Sequence, residues 1–70
     1  MTNAEELRAQ GLEQGLARGR QQSLERLMTL RFGPLPEAVT ARIHAANLEL
    51  LDRWLELVLT ADSPDAVVEL

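Results

Sequence analysis

From Asn3 to Phe32 the chain contains no proline and reads as one helix, and inside it Gly11, Gly15 and Gly19 recur at four-residue spacing. Glycines so spaced fall on adjacent turns and form a ridge without side chains, along which another backbone can come close. About 30 helical residues rising about 1.5 Å each make a rod of roughly 45 Å. A compact globule of this chain length is only about 28 Å across. The rod therefore overhangs its own body, and each interior glycine costs about 1 kcal/mol relative to alanine. Pairing with a second copy supplies packing that the rest of the chain cannot reach.

The ends of this helix are marked. Thr2 and Asn3 each stand three residues ahead of a glutamate, Glu5 and Glu6, the capping-box spacing that satisfies free amides of a first turn. Phe32-Gly33-Pro34 puts glycine where a left-handed cap is wanted, followed by a proline that blocks continuation. Arg26 and Arg31 near that end suit the helix dipole.

Three shorter helices are expected to follow. Pro36 opens the second, running to about Ala46, with Leu35, Val39, Ile43 and Ala46 as a narrow apolar stripe. Asn47 caps the third, Leu48 to about Thr60. There Leu48, Leu50, Leu51, Trp54, Leu55, Leu57, Val58 and Leu59 fill an arc of roughly 200°, making this helix the hub of the domain. Glu49 to Arg53 and Arg53 to Glu56 are spaced for pairs along its wet face, each contributing a few tenths of a kcal/mol. Ser63 as cap and Pro64 in the first turn open a short last helix that contributes Val67, Val68 and Leu70 as apolar contacts.

The chain has 70 residues, 46% hydrophobic and 26% charged, enough for one small core. Domains of this size bury only about 60% of the surface that the unfolded chain exposes. They draw stability from disulfides, a metal or a partner. Cysteine is absent, which leaves a partner. Residues 1–31 hold five arginines against four glutamates and residues 32–70 two arginines against seven acids, so the net charge of −4 falls on the second part. An acidic body repels phosphates, and direct nucleic-acid binding by this chain alone is disfavoured. No apolar run approaches the roughly 18 to 20 residues of a membrane span, and the start Met1-Thr2-Asn3-Ala4-Glu5-Glu6 lacks a signal core, so a cytoplasmic protein is expected.

Alongside the glycine ridge run Leu12, Leu16, Ser23, Leu27 and Leu30. The expected oligomer interface is Gly11, Leu12, Gly15, Leu16, Gly19, Ser23 and Leu27, and the expected core is Leu35, Val39, Ile43, Leu51, Trp54, Leu55 and Val58. His44, the lone histidine, shares a helix side with Thr40 and Glu37, opposite Val39 and Ile43; with no positioned partner it reads as a solvated surface residue. No catalytic residue, cofactor or metal ligand is assigned. A lone histidine with scattered carboxylates lacks ligand spacing, and Gly33 between Phe32 and Pro34 is no phosphate loop.

The run Leu30-Arg31-Phe32-Gly33-Pro34-Leu35-Pro36-Glu37, with Arg42-Ile43, Leu51-Asp52-Arg53-Trp54-Leu55 and Thr60-Ala61-Asp62-Ser63, resembles a small C-terminal domain of unknown function, family 4351. That domain is found on bacterial Rpn-type recombination-promoting nucleases and related transposase proteins. The similarity spans about residues 24 to 70, and the glycine-periodic helix is similar to the segment that joins such domains to the nuclease. The resemblance implies a parent protein with a metal-dependent PD-(D/E)xK cleavage site in its N-terminal part. No counterpart of that site is present here, and no lysine exists to complete the signature.

These readings combine into an all-α chain in two parts. Residues 1–32 form a long oligomerisation helix and residues 33–70 a three-helix cap, the whole assembling into a homo-oligomer. A non-catalytic role in assembling the parent nuclease follows, as does the option that a free-standing chain joins full-length subunits and restrains their DNA cleavage. The second reading is a DNA-contacting accessory domain using Arg18, Arg20, Arg26 and Arg31.

Overall fold

A computed structural model describes the backbone of residues 4–70 and the side chains from residue 11 onward. Thr2 and Asn3, the expected N-terminal caps, lie outside the described residues. Four helices and no strand are present among the described residues: α1 (Ala4–Phe32), α2 (Glu37–Ala45), α3 (Leu48–Leu57) and α4 (Pro64–Val67).

The 29 residues of α1 amount to about 43 Å of helix. That length sets the longest dimension of the molecule, 46 Å against 20 and 17 Å in the other directions. The radius of gyration, 13.7 Å, exceeds the roughly 11 Å of a compact chain of this length. The cap of α2, α3 and α4 sits against the C-terminal half of α1, which packs mainly on α3 and to a lesser extent on α2.

Leu24 and Met28 of α1 are completely buried, joined in one cluster with Val39 and Ile43 of α2, Leu51 and Trp54 of α3, Val58 after it, and Val67 and Val68. Leu35 and Leu55 are partly buried and pack against this cluster, as do Ala17 and Phe32. Leu24 and Met28, absent from the expected core, stand one turn apart on the face of α1 that also carries Ala17 and Phe32. Leu70, expected as an apolar contact, is exposed. Trp54 is buried to 1% exposure and its indole Nε1–H has no acceptor among the described residues, so apolar packing alone holds the ring.

Local chemistry explains several of the boundaries. The Gly33 amide donates to the Thr29 carbonyl at 2.9 Å with Gly33 at φ +84°, an αL cap that ends α1 before Pro34. Pro36 stands at the N-cap of α2, one position ahead of the first turn. Asn47 caps α3 by accepting from the Leu50 amide at 2.9 Å, and Ser63 caps α4 by accepting from Ala66 at 3.2 Å. The third helix stops at Leu57, short of the expected Thr60. The Arg31 guanidinium donates to the Val58 carbonyl at 2.7 Å and to that of Ala61, and the amides of Leu59 and Thr60 turn back to Glu56 and Leu57 in tighter i→i−3 bonds. Because the helix ends there, Leu59 is turned outward. Leu50 is exposed as well, so the buried part of the 200° arc narrows to Leu51, Trp54 and Val58 with their neighbours.

Ion pairs join elements and do not run along α3. Arg53 pairs with Glu69 at 2.7 Å and Asp52 with Arg20 at 2.9 Å, in place of the expected Glu49–Arg53–Glu56 ladder. At the chain's last turn the Leu70 amide donates to the Asp65 carbonyl at 3.0 Å across Glu69 at φ +59°, a Schellman closure with glutamate where glycine is favoured.

The two left-handed positions predict substitutions of opposite sign. Gly33→Ala should lower stability by about 1–2 kcal/mol, the cost of a Cβ in that conformation. Glu69→Gly should raise it by roughly 0.5–1 kcal/mol after loss of the exposed Arg53 pair is deducted. Urea denaturation of the three proteins at equal concentration measures both.

Candidate association surface

Around α1 the committed and uncommitted faces are opposed. At about 100° per residue, Ala17, Leu24, Met28 and Phe32 centre on one side, while the glycines and the Leu12–Leu30 stripe centre roughly 150° away. The core claims the first side. On the second, Leu12, Leu16, Leu27 and Leu30 are exposed, with Leu12 at 70% and Leu30 at 76%. Gly11, Leu12, Gly15, Leu16, Gly19, Ser23 and Leu27 thus all stand at the surface of a single chain. A Cβ built at Gly11, Gly15 or Gly19 meets nothing within 4 Å. The ladder has no role in packing α1 against its own cap.

Toward its C-terminal end this face opens into a cleft of about 280 Å³, lined by Leu27, Leu30, Arg31, Val58 and Leu59. Leu59, 73% exposed, forms the far wall because α3 has already ended. Sequence periodicity placed Leu59 within the arc of α3 and could not show that it joins the stripe of α1. The signal that locates it is Arg31, whose hydrogen bonds to the carbonyls of Val58 and Ala61 bring the turn after α3 beside Leu27 and Leu30. The same guanidinium lies 4.8 Å from the centre of the Phe32 ring.

The chain matches no known protein-family model, no characterised protein and no solved structure in comparisons of sequence and fold. What the surface can do is accordingly a question of its own geometry.

His44 lies outside the residues lining the cleft, and its Nε2 is 2.6 Å from Oε1 of Glu25 on α1, not beside Glu37. The pair is exposed, and such pairs contribute a few tenths of a kcal/mol to docking of α2 on α1. No cluster of three metal-binding side chains occurs among the described residues, nor is any described helix long and apolar enough to cross a membrane.

The four arginines considered for DNA contact have separate positions. Arg20 is paired with Asp52 and Arg31 is held by carbonyls, while Arg18 and Arg26 are exposed and make no ion pair among the described residues. Arg42 is also engaged, its Nε donating to the Val68 carbonyl at 3.2 Å and so tying α2 to the end of α4.

Arg31 and Arg26 therefore differ sharply in what they support. Arg31→Met should lower stability by about 1–2 kcal/mol, since hydrogen bonds from a charged donor are worth more than neutral ones. Arg26→Met should stay within about 0.5 kcal/mol of the parent. Equal effects in denaturant titrations would show that Arg31 does not hold the turn after α3.

Proposed function

We propose that this chain is a non-catalytic oligomerisation domain, whose α1 pairs with α1 of another copy through the face of Gly11, Leu12, Gly15, Leu16, Gly19, Ser23, Leu27 and Leu30. The observation that carries the reading is the exposed leucine stripe on the side of α1 opposite the core, bordered by glycines that no residue of the same chain approaches. Contiguous exposed apolar surface rimmed by charge marks interaction sites. A bare ridge beside it lets two helix axes approach closely. Removing these leucines from water supplies the stabilisation that a 70-residue core lacks.

The resemblance to the C-terminal domain of Rpn-type proteins gives the role its context. In that context the domain assembles a nuclease whose cleavage site lies elsewhere in the parent. A chain holding the face without the enzyme would enter mixed oligomers, because an interface cannot distinguish a full subunit from a bare tail, and would restrain DNA cleavage by occupying subunit positions. Co-expression with a full-length nuclease bearing this tail should give mixed species and reduced cleavage. Unchanged cleavage with no mixed species removes the regulatory part of the proposal.

The assembly itself has a test in which two readouts move in opposite directions. Gly15→Ala and Gly19→Ala should each stabilise the lone helix by roughly 0.5–1 kcal/mol, since the added methyl meets open space and alanine is the better helix former. The same methyl stands between two close backbones in the oligomer. Light scattering across a concentration series should show weaker association for both variants and loss of the oligomer for Gly15→Leu. A monomer for the parent chain, or association unaffected by Gly15→Leu, refutes the proposal.

A further inference from the structure

We infer that the partner copy lies antiparallel on α1, related by a two-fold axis at the level of Gln21, with its N-terminal leucines seated in the cleft between α1 and the turn after α3. This inference rests on the self-association proposed above and adds its orientation.

The first argument is the spacing of the exposed residues. Leu12, Leu16, Gly19, Ser23, Leu27 and Leu30 read nearly the same from either end, so reversing one helix about residue 21 sets Leu12 against Leu30 and Gly19 against Ser23, and brings Leu16 within one residue of Leu27. Leucine meets leucine at both ends, and the two smallest side chains meet at the axis. The helices can then approach most closely where they cross.

Charge supplies the second argument. Arg26 falls on the same line of the helix as Gly15 and Gly19, and its side chain is exposed. In a parallel, in-register pair Arg26 would face Arg26 of the other copy across the seam, two like charges removed from water together. In the antiparallel pair it falls level with Leu16, one residue from Gly15, so its stem can lie along leucine and bare backbone while its head reaches solvent. On the flanks, antiparallel pairing also brings Glu13 near Arg31 and Arg18 near Glu25, each twice by symmetry. A parallel pair keeps only Glu25 near Arg31 and moves Arg18 toward Arg20.

The third argument is where the uncovered parts of the molecule lie. Among the described residues the cap covers α1 from Ala17 onward, and the apolar cleft at Leu27, Leu30, Val58 and Leu59 is toward that same end. Leu12 stands on the half of α1 beyond the cap, about 27 Å along the helix from Leu30. Reversing the partner lays its Leu12 and Leu16 over this cleft, and each copy then covers the other's exposed leucines. A parallel partner leaves Leu12 and Leu16 beyond the reach of either cap.

Absence of cysteine makes single-site labelling clean. Gln14 and Thr29 are exposed and lie outside the leucine face of α1, so Gln14→Cys and Thr29→Cys chains carrying nitroxide labels should still associate. Pulsed electron–electron distances should be shorter, by roughly 10 Å, in a mixture of the two variants than in either variant alone, from about 1.5 Å per residue of axial offset. Short distances within each variant and long ones in the mixture overturn the antiparallel order while leaving self-association standing. No intermolecular distance, together with a monomer mass by light scattering, overturns both.

Discussion

The structure depends on α1 being shared between two environments. Its Leu24 and Met28 enter the core beside Leu51, Trp54 and Val58, and without them the cap would be two short helices and a single turn facing water. Its opposite side carries glycines that the cap never reaches and leucines that it leaves exposed. A helix that is apolar on one stripe is an ordinary surface helix of a globular domain. A helix apolar on two opposed stripes has one side too many for its own chain, and that surplus is the physical basis of the proposed association surface.

Arginine does the work that disulfides or a metal do in other small domains. Arg31 reaches from the last turn of α1 to the carbonyls of Val58 and Ala61, Arg42 reaches from α2 to that of Val68, and Arg53 reaches from α3 to Glu69. Arg31 and Arg42 cross between elements at places where a helix has just ended and its carbonyls are without intrahelical donors, while Arg53 meets a carboxylate. The planar, permanently charged guanidinium suits this use, since it can serve two carbonyls from one side chain. Two of the seven arginines, Arg31 and Arg42, are thereby committed to internal carbonyls and a third, Arg20, to Asp52, which limits how many could meet a phosphate backbone.

How much of this was legible in the sequence varies with the kind of signal. Phe32-Gly33-Pro34, Asn47 and Ser63-Pro64 announce helix ends because capping is local chemistry, complete within four residues. Val39, Ile43, Leu51, Trp54 and Val58 stand out because α2 and α3 each have one dominant apolar side. Leu24 and Met28 do not stand out, since α1 has leucine on both faces and the two stripes cancel in any measure of one-sidedness. The early end of α3 is invisible locally: no glycine or proline interrupts Leu57 to Ala61, and the residue that closes the helix, Arg31, stands 27 positions before Val58. The wall that Leu59 adds to the cleft follows from that long-range contact and from nothing nearby in the chain.

If α1 pairs as proposed, association and folding become one equilibrium. A second copy that binds the folded chain and not the unfolded one stabilises it by an amount that grows with concentration, about 2.7 kcal/mol at one hundred times Kd. For a core this small that increment is a sizeable part of the whole. The interior glycines shift the balance further, because each weakens the isolated α1 while leaving room for a close neighbour. Alanine at the same positions would favour the lone helix and obstruct the pair. Under the proposed pairing the chain would give up stability as a monomer and recover it on assembly, which would couple the fraction folded to the amount of partner present.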